Sequence, residues 1–272
     1  MIRMIGLDLD GTLLTRDKRL SRENAEALYE ADRRGIIIVP VTGRPYSGIP
    51  EEVMELPFIK HTITSNGAVT YDSSKKRTIR ERYMTVQTAR SVLEQVREQN
   101  LIREYFTGGY GFHDEDTELL LRARFGQTPV IGYLRRSRKL VDDFLGSLSE
   151  VKGGIENISI MCREPEKKEE ILERIRRLQG IRIINPWPTD LEITSDRADK
   201  GEALIELGRT LGIAREEIMA MGDGNNDIGL MKAAGLSVAM GNSDPEILSE
   251  ADHVTEDNEH DGVAAAIRKY AL

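Results

Sequence analysis

The chain has 272 residues, 39% hydrophobic and 31% charged, a balance that suits one large or two moderate globular domains with a proper core. A formal net charge of −8 argues against a general binder of nucleic acid or of an anionic membrane, and no apolar run approaches the ~18 residues of a membrane span. The one cysteine, Cys162, excludes an intrachain disulfide and fits a reducing compartment, and no leader-like segment precedes the first strand, so a cytoplasmic location is expected.

In chain order, the run from Met4 to Leu14 opens as a short buried strand and ends in Asp8 and Asp10, followed at once by Gly11 and Thr12. Alternation along a strand points the two aspartates the same way, and Gly11 permits a sharp turn. Two carboxylates aimed together repel unless a cation sits between them. That makes a poor core and a good metal-assisted nucleophile; the plainer alternative is an acidic surface turn. Ser21 is placed to cap a helix over residues 22–34 that Gly35 ends. Ile36 to Val41 is a continuous apolar run, as in a parallel strand covered on both faces. Thr42-Gly43-Arg44 breaks it, and a short helix is expected to about Leu56. Residues 61–65 read as a third strand, ending at the turn signal Asn66-Gly67, and a hairpin is expected across residues 68–82. The rhythm is that of an open parallel α/β sheet.

From Tyr83 the character changes. Helices are expected over residues 86–99, 117–124, 138–148 and 166–179, with strands over 103–106, 110–113, 155–162 and 181–184. Cys162 falls in the third of these strands, as a buried residue rather than a reactive thiol. Residues 185–188 form a stiff, proline-flanked exit. Leu191 to Thr194 then resumes strand character, and strands at 218–221, 236–239 and 253–254 alternate with helices at 200–211, 227–234, 244–249 and 262–270. The sheet domain is therefore expected over 1–82 and 189–272, with an α+β module, 83–188, inserted into it.

Three further stretches carry chemistry. Thr42-Gly43-Arg44 lies at the carboxyl end of a strand, where open α/β sheets bind ligands, although alone it reads as an ordinary strand-to-helix turn. Lys200, at a helix start, can neutralise both a phosphoryl group and a carboxylate; alone it is a solvated charge. Gly222-Asp223-Gly224-Asn225-Asn226-Asp227 follows a strand with an all-oxygen donor set suited to a hard cation. It lacks the closing Glu and the preceding helix of a calcium-binding loop, which leaves a plain Asn/Asp/Gly turn as the alternative. Four such features at four strand ends are far more specific than any one.

Together, Asp8-x-Asp10-Gly11-Thr12, Thr42-Gly43-Arg44, Lys200 and Gly222-Asp223-Gly224-x-Asn226-Asp227 resemble the four ordered motifs of the haloacid dehalogenase superfamily of phosphohydrolases. Ser65-Asn66-Gly67-Ala68, Leu191-Glu192-Ile193 and Ala239-Met240-Gly241-Asn242 resemble its Cof-like subfamily. The resemblance implies a Rossmann-like open parallel sheet core with an inserted α/β cap that sets substrate specificity, and a phosphatase acting on a small phosphorylated metabolite such as a phosphosugar, phosphoglycolate or a phosphorylated cofactor. It further implies Asp8 as nucleophile, Asp10 as acid–base, and Mg²⁺ held by Asp8, the Asp10 carbonyl and Asp223, with Asp227 outside or through water. Thr42, Gly43, Lys200 and Asn226 are implied to hold the phosphoryl oxygens. Arg44 is a candidate substrate contact, and within the cap Arg103, Tyr105, His113, Arg163 and Trp187 are weaker ones. A phosphosugar mutase of the same fold and a non-catalytic phosphometabolite-binding regulator are the alternatives, and monomer and homodimer are equally open.

Overall fold

The computed structural model describes every residue except Gln99 and Pro129, and the side chains of Pro186 and Trp187 also lie outside the described residues. Trp187 as a substrate contact and the expected helix end at Gln99 therefore fall outside them. The chain forms two compact units, one of Met1–Gly43, Ile49–Glu81 and Asp199–Leu272, the other of Arg44–Gly48 and Arg82–Ala198.

The first, the sheet unit, is built on five parallel strands in the order His253–Val254, Leu236–Ala239, Ile218–Gly222, Met4–Leu7, Ile37–Pro40. The near-continuous apolar runs read from the sequence become its buried strands: Met4, Val39, Ile218, Ala220 and Ala239 join Leu204, Leu207 and Leu230 from covering helices in one core. An isolated parallel bridge, Val41 to Ile63, joins this sheet to an antiparallel one of His61–Thr64, Val69–Asp72 and Arg77–Glu81. The helices begin where their capping residues dictate. Ser21 accepts from the Asn24 amide ahead of Arg22–Arg33, and Asp199 accepts from the Glu202 amide ahead of Lys200–Thr210.

The inserted unit has a six-stranded sheet in the order Ile181–Trp187, Asp190–Ser195, Asn157–Met161, Ile102–Thr107, Tyr110–His113, Arg138–Leu140. It packs its own core of Val92, Leu93, Tyr105, Ile158, Ile160, Ile171 and Ile193, among others. The lone Cys162 is buried beside this core and its thiol is pushed up to about 11, first by burial, as expected of an inert thiol.

Three features differ from the sequence-based expectation. The strand at Leu191 does not resume the sheet unit. Asp190–Ser195 pairs antiparallel with Ile181–Trp187 on one side and with Asn157–Met161 on the other, so the boundary falls at Ala198/Asp199 instead of 188/189. The expected exit over residues 185–188 instead ends the strand Ile181–Trp187 and leads into a two-residue hairpin turn at 188–189. Second, Arg44–Gly48 belongs with the inserted unit: the Ser47 amide and hydroxyl both donate to the Gly109 carbonyl, at 3.1 and 2.6 Å, and Arg44 lies over the Tyr133 ring. Within the inserted unit, residues 138–148 are not one helix. They hold the strand Arg138–Leu140 and part of a short 3₁₀ turn, and the helix of this stretch is Val130–Ser137.

Candidate active site

At the carboxyl end of Met4–Leu7 the chain turns sharply. The Asp8 amide still donates to the Met221 carbonyl of the neighbouring strand, which extends the sheet by one residue and fixes where the Asp8 side chain emerges. Gly11 has φ +81° and faces the Asp223 carboxylate so closely that a Cβ would collide with it; only glycine satisfies both demands. Thr12 then donates its hydroxyl to Asp223 Oδ1 at 3.1 Å, so the first loop grips the loop that follows Ile218–Gly222.

The Lys200 ammonium is buried, 1% exposed, and lies 2.7 Å from both Asp8 Oδ1 and Asp227 Oδ1. Asp227 turns its other oxygen back to accept from the Asp223 and Gly224 amides, each at 3.1 Å, which closes the Gly222–Asp227 loop upon itself. Asp8, Asp223 and Asp227 each offer one oxygen within 4.8 Å of the others, a group that can hold a metal ion. Three carboxylates gather about one ammonium, and the pKa values of Asp8 and Asp223 reflect the deficit of positive charge. Burial above all, with the neighbouring Asp227 and Asp223, holds Asp8 well above the usual carboxylate range despite Lys200. Burial and Asp227 push Asp223 up to about 7. For Lys200 burial is the largest influence and lowers its pKa, yet Asp227 and Asp8 outweigh it and the ammonium is held above its ordinary range. Hard divalent cations take such oxygen donors and relieve such repulsion, so the residues present fit a metal.

Asp10 lies further out, with its carboxylate paired to Lys18 Nζ at 2.8 Å. Thr42 is buried, its amide donating to the Ile63 carbonyl at 2.8 Å while its own carbonyl accepts from the Asn66 amide. The Asn226 side chain donates through Nδ2 to Asn66 Oδ1 at 3.2 Å. Asp8, Asp10, Thr42, Gly43, Lys200, Asp223, Asn226 and Asp227 thus all belong to the sheet unit. Arg44 belongs to the inserted unit, where its guanidinium stacks on Tyr133 and donates to the Gly48 carbonyl at 2.8 Å. Among the weaker candidates, Tyr105 is a core residue bonded to Ser147, His113 sits between Glu104 and Glu118, and Arg103 pairs with Asp114; Arg163 is exposed.

Two residues acquire roles that the sequence reading left unassigned. Asn242 donates to the Gly11 carbonyl at 2.9 Å and to Asp223 Oδ2 at 3.3 Å, while its own oxygen accepts from the Asn258 amide. Together with Thr12 it holds both oxygens of Asp223. The signal was present in Gly241-Asn242 just past a strand, but nothing local says which carboxylate such an asparagine reaches.

With this geometry in view, comparisons with known proteins agree. A family model for haloacid dehalogenase-like hydrolases matches residues 5–267. A 5-amino-6-(5-phospho-D-ribitylamino)uracil phosphatase of Bacillus subtilis (strain 168) is 29% identical, the match covering 100% of this chain and 96% of that protein. A pyridoxal phosphate phosphatase of Escherichia coli (strain K12) is 27% identical, covering 99% of each. A solved haloacid dehalogenase-like hydrolase of B. subtilis superposes with a TM-score of 0.86 at 31% identity, covering 100% of both chains.

Proposed function

Because this chain belongs to the haloacid dehalogenase-like hydrolase family and is a phosphatase of small phosphorylated metabolites, we propose that it hydrolyses its phosphomonoester through a covalent intermediate on Asp8. The observation that carries this reading is the buried Asp8 carboxylate bonded to Lys200 beside Asp223 and Asp227. Asp8 Oδ attacks phosphorus and the P–O bond to the substrate alcohol breaks, leaving the phosphoryl group on Asp8. Asp10 gives its proton to the departing alkoxide, then takes one from the water that attacks the phosphoryl group, which returns Asp8 and releases inorganic phosphate. Thr42, Gly43, Asn226 and Lys200 hold the phosphoryl oxygens, and Lys200 keeps the Asp8 carboxylate oriented. Phosphoryl transfer asks for positioning and charge neutralisation above all, and these groups supply both.

Mg²⁺ is the proposed metal, held by Asp8, Asp223 and the Asp10 carbonyl, with Asp227 outside these ligands or bound through water; when bound it would neutralise charge on the transferring phosphoryl group. Both named relatives act on a phosphomonoester joined to a nitrogen heterocycle, so substrates of that kind head the proposed list, ahead of phosphosugars and phosphoglycolate. Arg44 and the inserted unit are proposed to read the part of the substrate beyond the phosphate.

The test is phosphate release from a panel of such esters with Mg²⁺ and with EDTA, for the wild type and Asp8→Asn. Turnover that needs the metal and vanishes in the variant is expected. Turnover that survives Asp8→Asn would exclude the covalent route, and transfer to a second sugar without free phosphate would identify a mutase.

A further inference from the structure

The turn Ser65–Gly67 touches three parts of the phosphate site without supplying a group that the proposed reaction uses. All three of its residues have positive φ, at 50°, 55° and 88°. For serine and asparagine this left-handed backbone is costly, and such strain persists only where the surroundings enforce it. Here they do. The Asn66 amide donates to the Thr42 carbonyl at 3.1 Å. Gly67 packs against the Asp199 carbonyl and the Lys200 amide so tightly that a Cβ would collide with both. Arg80 donates to the Gly67 carbonyl and pairs with Glu206, one face along the Lys200–Thr210 helix, which clamps the turn to that helix. In the middle sits Asn66, 2% exposed, with its side-chain oxygen accepting from Asn226 Nδ2.

That last bond has a chemical consequence. An asparagine amide can present either its NH₂ or its oxygen to a ligand, and the choice is set by its neighbours. An acceptor at Asn66 Oδ1 commits one Asn226 N–H and so fixes which way round the amide stands. The second N–H of the same nitrogen is left for an anion, while the Asn226 oxygen lies beside Gly224. We infer that Asn66 is a positioning residue of the phosphate site: from one strained turn it locks the Asn226 amide donor-first and ties it to Thr42 and to the start of the Lys200 helix. The inference rests on the phosphatase reading for its phosphate site, but not on any particular substrate.

Asn66→Gly is the informative variant, because glycine keeps the left-handed backbone and the Thr42 bond while removing the amide; alanine would have to bear the φ of 55° itself. Inorganic phosphate, titrated calorimetrically in the presence of Mg²⁺, is the probe. Asn66→Gly is expected to bind phosphate roughly fivefold to tenfold more weakly, the range of one hydrogen bond, with an unchanged or higher Tm. The double variant Asn66→Gly/Asn226→Ala is expected to bind no more weakly than Asn226→Ala alone, since one residue acts through the other. On the best substrate the loss is expected in KM more than in kcat. Wild-type affinity in Asn66→Gly, or losses that add in full in the double variant, would overturn the inference. Since phosphate binding needs no turnover, a protein that binds phosphate yet hydrolyses nothing would refute the catalytic reading and still decide the role of Asn66.

Discussion

Asp8 and Lys200 are bonded to one another, yet their removal is expected to act on stability in opposite directions. Burial and two neighbouring carboxylates hold Asp8 well above the usual carboxylate range, so at neutral pH its charge costs the metal-free fold energy. Asp8→Asn should therefore abolish turnover while raising the Tm in EDTA, by about 2–4 °C for each ~1 kcal/mol relieved. Among the described residues Lys200 is the ammonium bonded to both Asp8 and Asp227. Lys200→Met leaves buried carboxylates without a counter-charge and should lower stability by about 3–5 kcal/mol, read by urea unfolding in EDTA. If both variants fell equally, the site would be an ordinary ion-pair core rather than one held short of positive charge. The acidic members of the site were legible in the sequence because glycines bracket them at strand ends. Thr12 and Asn242 as the two holders of Asp223 were not, since that pairing joins residues 211 and 19 positions apart and no local pattern encodes it.

At the scale of elements, the inserted unit carries a buried charge network on three strands of its sheet and the adjoining helix. Glu104 is fully buried and accepts a two-pronged bond from Arg138, at 2.9 and 3.2 Å, while His113 bridges Glu104 and Glu118. Burial alone would raise Glu104, but Arg138 and His113 outweigh it and bring its pKa down to about 2. A carboxylate whose folded pKa is depressed supplies stability above its unfolded value, near 4.5, and loses it as pH falls toward the folded value. Acid unfolding of this unit is accordingly expected to steepen between about pH 4.5 and 2. Glu104→Gln should cost about 3–5 kcal/mol at pH 7 by leaving Arg138 buried and uncompensated, and Glu104→Gln/Arg138→Met should recover part of it; urea unfolding at pH 7 and pH 4 measures both. Failure of the double variant to recover anything would mean that the arginine acts by packing on Phe106 and Tyr133 more than by charge. Elements were legible where one periodicity dominates, as in the parallel strands and the Lys200 helix. They were not where an alternating strand can join either of two sheets. Leu191 to Thr194 reads alike in both, and the two-residue turn at 188–189, which returns the chain onto Ile181–Trp187, decides the matter.

Across the whole molecule, the three carboxylates able to hold a metal ion lie in the sheet unit and the Glu104 network lies in the inserted unit. Each unit has its own hydrophobic core, and units with separate cores are able to unfold separately. Two perturbations can therefore be aimed at one unit each. A divalent cation that binds only folded protein stabilises by about 2.7 kcal/mol at a hundred times its Kd, and this should raise the transition of the sheet unit alone. Glu104→Gln should lower the transition of the inserted unit alone. Scanning calorimetry of the intact chain, in EDTA and in excess Mg²⁺, with and without Glu104→Gln, is expected to show two transitions that respond independently, with Asp8→Asn blunting only the metal response. A single transition moved by both treatments would show instead that the chain unfolds as one cooperative body. The energy of metal binding would then be shared with the unit proposed to read the substrate, and changes in that unit would alter metal affinity as well as specificity.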